Sequence, residues 1–182
     1  MPEKGVNAIC KAARAVTALQ GFEFNVARHP VLGAPTLNVG TILGGLNINS
    51  VPDRALIGID IRTIPTQAHA QIREQLASYL GPDVTLRTLL DARSVWSDPR
   101  DPWVREVFDV ARAVAGAGDE ISAAPYFTDA SELTPALGNP PTVILGPGEL
   151  TLAHQTDEYC LVSRIEEATE LYSQLIRRWC RI

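Results

Sequence analysis

The stretch TVILGPGELTLAHQTDEY, residues 142–159, decides how the rest of the chain is interpreted. It opens with an apolar run at residues 142–145, which predicts a short buried strand. The glycine–proline–glycine sequence at residues 146–148 then predicts a turn, because proline fixes φ and glycine adopts conformations closed to other residues. In α/β folds, ligands and metals bind in the loops that follow the carboxyl ends of strands. This loop carries His154 and two carboxylates at residues 157–158, so it is a candidate metal-binding loop.

The composition limits the classes of protein that fit. A hydrophobic share of 46% among 182 residues is ordinary for a protein that buries a core. The formal net charge of −5 offers no basic surface, so neither nucleic acid nor a membrane is expected as a partner. The three cysteines lack a CxxC spacing, which favours reduced thiols over a disulfide framework or a cysteine–zinc site. Without a membrane-length apolar run or a signal-peptide pattern, the sequence predicts a cytoplasmic protein.

Residues 1–92 predict a two-layer α+β domain. Helical spacing at residues 9–19 has no clear cap before it, and Gly21 is expected to end the helix. Alternating apolar residues predict an antiparallel pair of strands at residues 36–43 and 55–62, with one face on a core. The expected inward residues of the first strand are Leu37, Val39, Thr41 and Leu43.

A second helix and a third strand are expected to complete this domain. Thr66 is the predicted cap of the helix, and the glycine–proline pair at residues 81–82 is its predicted end. Residues 84–90 are predicted to be a strand, which gives a split βαβ arrangement without its opening strand. We interpret His29 as a loop histidine and His69 as a solvated helix residue.

Residues 93–182 predict a second domain, reached through a polar crossing at residues 91–101. Asp101 is expected to cap a helix with proline in its first turn, and a glycine-rich segment is expected to end it. A short strand is predicted at residues 121–125, and a capping box at residues 163–166 is predicted to open the last helix.

On chemistry alone, the chain does not supply a complete catalytic zinc site. Such a site needs about three protein ligands and an open position for water. The chain offers His154, with Asp129 and residues 157–158 as carboxylates that can come near it, but no HExxH and no HxD. A serine triad of Ser131, His154 and Asp157 is a poor alternative, because there is no GxSxG turn. A lone loop histidine is often only solvated, and that reading of His154 stays open.

The motifs resemble those of the M20 family of zinc-dependent amidohydrolases and peptidases. The string GPGELTLAHQTDEY at residues 146–159 is similar to the C-terminal metal-ligand loop of that family. Matching motifs in the first half are NVG, GG, NSVPD and IDIR at residues 38–40, 44–45, 49–53 and 59–62. The sequence of the loop resembles the acetylornithine deacetylase branch more than the desuccinylases, and so does the aromatic pair at residues 126–127. The resemblance covers essentially the whole chain, but only about the C-terminal half of a full-length enzyme.

The resemblance implies roles for individual residues. His154 matches the histidine that holds a metal in the family. Asn49 and Arg62 match residues that bind the carboxylate of the substrate across the dimer, a task that suits the planar fork of arginine. Ordinary turn chemistry for Asn49, and a pairing of Arg62 with Asp60, are the alternatives. The other substrate-binding positions that the resemblance implies are Thr128, Asp129, Gly146 and Gly148.

The resemblance also implies a fold class and an activity. It implies a two-layer α+β lid, or dimerisation, domain at residues 1–92, followed by the C-terminal part of an α/β zinc-hydrolase catalytic domain at residues 93–182. A complete active site would hold two zinc ions, with cobalt or manganese as alternative metals, and would cleave small N-acyl amino acids within a homodimer formed through the lid.

The family's general base and most of its metal ligands belong to the N-terminal half. No catalytic residue is therefore expected in this chain, which alone is expected to lose the metal and to be inactive. The alternative hypothesis is a non-catalytic dimerisation or binding module.

Overall fold

The computed structural model describes residues 2–118, 121–124, 126–153 and 155–182. The chain divides into two compact units, residues 1–94 and residues 95–182. The boundary lies inside the polar crossing, two residues beyond the domain limit expected from the sequence. No helix in the described part of the chain combines the length and the apolar composition needed to cross a bilayer. The mixed helix-and-strand fold class is confirmed.

Unit 1 contains two helices and a two-stranded sheet. Its elements are α1 (Ala8–Leu19), β1 (Thr36–Gly44), β2 (Ala55–Arg62) and α2 (His69–Leu80), after a short 3₁₀ turn at Pro2–Lys4. The first helix does have a cap, contrary to expectation, because Oδ1 of Asn7 accepts a hydrogen bond from the amide of Cys10 at 3.0 Å. Its C-terminal capping residue is Gln20, one position before the expected glycine.

The two strands pair antiparallel, as the alternation predicted. Thr36 lies opposite Arg62 and Gly44 lies opposite Ala55, and a bulge interrupts the register between Val39 and Thr41. The extra residue of a bulge re-aims the side chains that follow it. The expectation of one continuous inward face is therefore wrong beyond the bulge. Leu37 and Val39 pack on the core, as expected, whereas Leu43 is 65% exposed.

The core of unit 1 lies between the helices and one face of this sheet. Leu19, Ile72 and Leu76 are its buried centre. The partly buried residues packed around them are Phe22, Phe24, Leu37, Val39, Ile59, Ile61, Leu80 and Leu86. Gly81 ends α2 with a positive φ of 78°, as predicted, because a residue without Cβ tolerates that conformation.

Two predictions for the end of this unit are wrong. Ala68, which makes no side-chain cap bond, precedes α2 in place of Thr66. Residues 84–90 are not a strand, since the described residues form a single sheet that contains only β1 and β2. A strand needs a neighbour that supplies ladder hydrogen bonds. Residues 84–90 have no such neighbouring strand in the described structure, and they are attached to the core through Leu86 instead.

Unit 2 is built around the packing of two helices. Its helical elements are α3 (Pro102–Ala115), α4 (Ala130–Ala136), a 3₁₀ turn at Leu150–Leu152 and α5 (Val162–Cys180). Val110 and Ala111 of α3 pack against Leu171 of α5 to form the buried core. The predicted cap of α3 is confirmed, because Oδ1 of Asp101 accepts from the amides of Trp103 and Val104.

The start of α5 differs from the prediction. The helix begins at Val162 and its N-cap is Leu161, which makes no side-chain cap bond. Ser163 therefore lies inside the first turn, and the predicted capping box at residues 163–166 does not form.

The strand predicted at residues 142–145 is also wrong. These residues pair with no strand in the described part of unit 2. The hydroxyl of Ser97 occupies the place of a ladder partner, donating to the carbonyl of Thr142 at 2.8 Å and accepting from its amide at 2.7 Å. Residues 121–124 are likewise not a strand, and Pro125 lies outside the described residues.

Candidate functional site

The loop at residues 146–159 is closed by local hydrogen bonds. It bends at Pro147 and Gly148 and continues into the 3₁₀ turn. The thiol of Cys160 donates to the carbonyl of Pro147 at 3.4 Å, which brings the two ends of the loop together. Asp157 has a positive φ of 63°, an uncommon conformation for a residue with a side chain. His154, the predicted metal ligand, lies outside the described residues.

The two glycines of the bend border open space. A Cβ placed on Gly146 or on Gly148 would meet no described atom within 4 Å. Packing within the described structure therefore does not require glycine at either position. Their predicted role in substrate binding stays a prediction.

Thr128 and Asp129 lie at the start of α4. The carbonyl of Thr128 accepts from both the amide and the hydroxyl of Ser131, while its own hydroxyl accepts from the amide of Ala130. Asp129 is the N-cap, yet its carboxylate makes no cap bond and is exposed. Ser131 is 7% exposed with its hydroxyl already engaged, which argues against the serine-triad alternative.

Asn49 and Arg62 belong to different ends of the hairpin. Asn49 is exposed in the turn that connects β1 to β2. Arg62 is the last residue of β2, about 23 Å along the strand from Ala55 at a rise of roughly 3.3 Å per residue. Its guanidinium donates to Asp60 at 2.8 Å, and both side chains are 49% exposed. Within one copy of the chain, the hairpin therefore does not bring these two residues to the same end.

The described residues do not form a metal centre by themselves. Among them there is no group of three histidine, cysteine, aspartate or glutamate side chains placed to hold an ion. A catalytic zinc needs about three protein ligands, so the described donor set does not fit one. Asp129, Asp157 and Glu158 remain candidate carboxylates on the pattern of the sequence alone.

A polar cluster that the sequence did not predict lies in unit 1. Nδ1 of His69 is hydrogen-bonded to Oδ1 of Asp91, and Nε2 of the same ring lies 3.0 Å from the hydroxyl of Thr63. Arg73 donates to Oδ2 of Asp91 at 2.8 Å. These contacts, with His69 first and Arg73 second, lower the pKa of Asp91 below its ordinary value of 3.8. The interpretation of His69 as a merely solvated residue is wrong.

Only part of this cluster leaves a signal in the sequence. His69 and Arg73 are four residues apart and so share a face of α2. Asp91 is 22 residues from His69 and belongs to a segment without regular structure, so no periodicity links it to the helix.

Comparison with known proteins gives a family match for the first part of the chain and similarity to individual proteins over nearly all of it. Residues 1–84 match the family model of the peptidase dimerisation domain. The chain is 27% identical to the acetylornithine deacetylase of Pasteurella multocida (strain Pm70), covering 98% of this chain and 48% of that protein. It is 28% identical to the acetylornithine deacetylase of Proteus mirabilis (strain HI4320), covering 98% and 47%. The chain thus spans about half the length of the curated relatives it matches.

Proposed function

We propose that this chain, whose residues 1–84 match the family model of the peptidase dimerisation domain, is part of a metal-dependent amidohydrolase of the M20 type that cleaves N-acyl amino acids. The observation that carries the proposal is the extent of the similarity. Alignment with acetylornithine deacetylases continues past the dimerisation domain and covers 98% of the chain. The proposed substrate is an N-acetyl amino acid of the ornithine type, and the proposed compartment is the cytoplasm.

In this proposal His154 is one ligand of a zinc ion whose remaining ligands and general base lie on polypeptide outside these 182 residues. A zinc ion held there would supply Lewis-acid chemistry, polarising the scissile carbonyl and lowering the pKa of water. The contribution of this chain is one imidazole, together with groups that bind and orient the substrate.

Arg62 and Asn49 are the proposed carboxylate-binding groups. The ion pair between Arg62 and Asp60 is half exposed, and pairs of this kind contribute only about 0–1 kcal/mol. A substrate carboxylate can therefore displace Asp60 at small cost, because the guanidinium fork pairs with a carboxylate through two parallel hydrogen bonds. Asn49, in its exposed turn, is free to approach a substrate held by a second copy of the chain.

The loop bend and the start of α4 supply the other proposed contacts. No described atom lies within 4 Å of a Cβ placed on Gly146 or Gly148, and glycine at these positions would let the backbone approach a small ligand closely. Thr128 is held by its bonds to the first turn of α4, whereas the carboxylate of Asp129 makes no cap bond. An amino group on the substrate would suit such an acceptor.

Hydrolysis by a composite enzyme tests the proposal. This chain would replace the aligned half of the Pasteurella multocida acetylornithine deacetylase, and release of acetate from N-acetyl-L-ornithine would be measured with zinc and after chelation. We expect zinc-dependent hydrolysis by the composite and none by the chain alone. A folded, zinc-loaded composite without any hydrolysis would contradict the proposal.

We also propose that the chain forms a homodimer through unit 1. The hairpin carries exposed aliphatic side chains that we call the hairpin patch: Ile42, Leu43, Leu46, Ile48 and Leu56. Leu43 and Leu56 are cross-strand neighbours, 65% and 50% exposed, so they form a continuous apolar surface. In the described structure β1 pairs only with β2, which leaves backbone donors and acceptors along its other edge. A second copy of the chain would cover both features.

The double variant Leu43→Asp, Leu56→Asp is expected to weaken the dimer by on the order of 100-fold or more, because two buried apolar contacts become charged. The measurement is sedimentation velocity over a range of concentrations. Leu89→Asp is the matched control, since Leu89 is 80% exposed in the same unit but lies outside the hairpin. A parent chain that stays monomeric, or a double variant that dimerises as tightly as the parent, would contradict a dimer through this patch.

The second candidate function is a non-catalytic dimerisation module. It is favoured by the family match of residues 1–84, which is to a peptidase dimerisation domain. The composite enzyme distinguishes the two candidates by its activity. If the chain only dimerises, the composite would not hydrolyse N-acetyl-L-ornithine, but sedimentation would still detect the dimer.

A further inference from the structure

The Thr63–His69–Asp91–Arg73 cluster, which we call the clasp, joins three separate parts of unit 1. Thr63 directly follows β2, and His69 and Arg73 lie in the first two turns of α2. Asp91 lies in the irregular segment that leads to the boundary between the two units after Ser94. The clasp therefore connects the regular part of unit 1 to the segment by which the chain leaves it.

Every polar atom at the centre of the clasp is used. Both carboxylate oxygens of Asp91 have a partner, one the ring of His69 and the other the guanidinium of Arg73. Both ring nitrogens of His69 have a partner, because Nε2 faces the hydroxyl of Thr63. Since a hydroxyl can donate or accept, this arrangement suits either protonation state of the ring. The His69 side chain is 21% exposed, so its contacts are partly shielded from water.

Residues 84–91, through which the chain leaves the regular part of unit 1, make few other contacts with it. Residues 84–90 make no ladder bonds with β1 or β2, and Leu86 is the residue of this segment packed against the core. Leu89 and Leu90 are 80% and 70% exposed. Beyond Leu86, the side chain of Asp91 attaches the segment to regular structure through His69 and Arg73 of α2.

We propose that the clasp is a conformational device that fixes the point at which the chain leaves unit 1. With the clasp closed, Asp91 is the last residue of this segment that a side-chain contact attaches to α2. With the clasp open, the last attachment is Leu86, and residues 87–91 join the connection. Five residues extend by at most about 17 Å, so opening would lengthen the reach of the connection substantially.

Tryptic cleavage tests the proposal, because Arg87 and Arg93 lie on either side of Asp91. The full chain and the Asp91→Ala variant would be digested under native conditions, and initial cleavage rates at these arginines would be measured by mass spectrometry. We expect cleavage at Arg87 to accelerate at least about 10-fold in Asp91→Ala, and cleavage at Arg93, which lies beyond the attachment in both states, to change less. Asp91→Asn, which keeps an acceptor for His69 but loses the charge, is expected to fall between the two.

Asp83→Asn is the matched control, because it removes a comparable exposed ion pair, from Lys11 to Asp83 at 2.7 Å. It should leave cleavage at Arg87 and Arg93 unchanged. The ¹⁵N chemical shift of His69 Nδ1 provides a second readout and is expected to change in Asp91→Ala. Unchanged cleavage in Asp91→Ala would overturn the proposal. So would equal acceleration at arginines throughout unit 1, since that result would indicate global destabilisation.

Discussion

Replacing Leu76 with alanine is expected to destabilise unit 1 by about 2–5 kcal/mol, because the lost transfer free energy adds to the cost of the cavity left behind. Leu76 is 2% exposed and lies in the core cluster with Leu19 and Ile72. Urea unfolding followed by far-ultraviolet circular dichroism measures the effect.

The control for this substitution is Leu89→Ala, which removes the same atoms from a side chain that is 80% exposed in the same unit. It should change the free energy of unfolding by no more than about 0.5 kcal/mol. Equal losses in the two variants would show that the core of unit 1 does not lie where the structure has it.

His154→Ala in the composite enzyme is expected to lower zinc-dependent hydrolysis by at least about 100-fold. Loss of a group that only supports a metal ligand typically costs 10–100-fold, and loss of a ligand should cost no less. The other two of the three histidines are already engaged: Nδ1 of His29 accepts from two backbone amides, and both ring nitrogens of His69 lie in the clasp. Neither is therefore available as a substitute without local rearrangement.

His29→Ala is the matched control for this experiment, since it removes a loop histidine that we do not assign to the metal. It should retain most of the hydrolysis. If His154→Ala also retained it, the assignment of His154 as a metal ligand would be wrong.

Elements that depend on local pattern were predicted from the sequence. The periodicity of apolar residues identified α1, α2, α3 and α5, and alternation identified the hairpin of β1 and β2. A short polar side chain identified the cap at Asp101, and a glycine identified the helix end at Gly81. Each of these features is determined by residues a few positions apart, which a single sequence displays directly.

Features that depend on distant partners were not predicted. Residues 84–90 and 142–145 have the apolar character of strands, but apolar character does not reveal whether a neighbouring strand supplies the ladder bonds. The bulge between Val39 and Thr41 shifted the inward face of β1 without any strong local signal.

The same distinction between local pattern and distant partners applies to the candidate site. The loop at residues 146–159 was identified from its motif, while the bonds of Asp91 to His69 and Arg73 became apparent only in the folded unit. The substrate-binding roles of Asn49, Arg62, Thr128 and Asp129 stay predictions, because they concern a ligand.

The zinc content of the composite enzyme tests the central claim most directly. Elemental analysis of the purified composite is expected to give about two zinc ions per polypeptide, as in two-metal hydrolytic sites. The His154→Ala variant is expected to lose about one of them, whereas His29→Ala keeps both. A folded His154→Ala variant that holds as much zinc as the parent would contradict the claim that this histidine binds the metal.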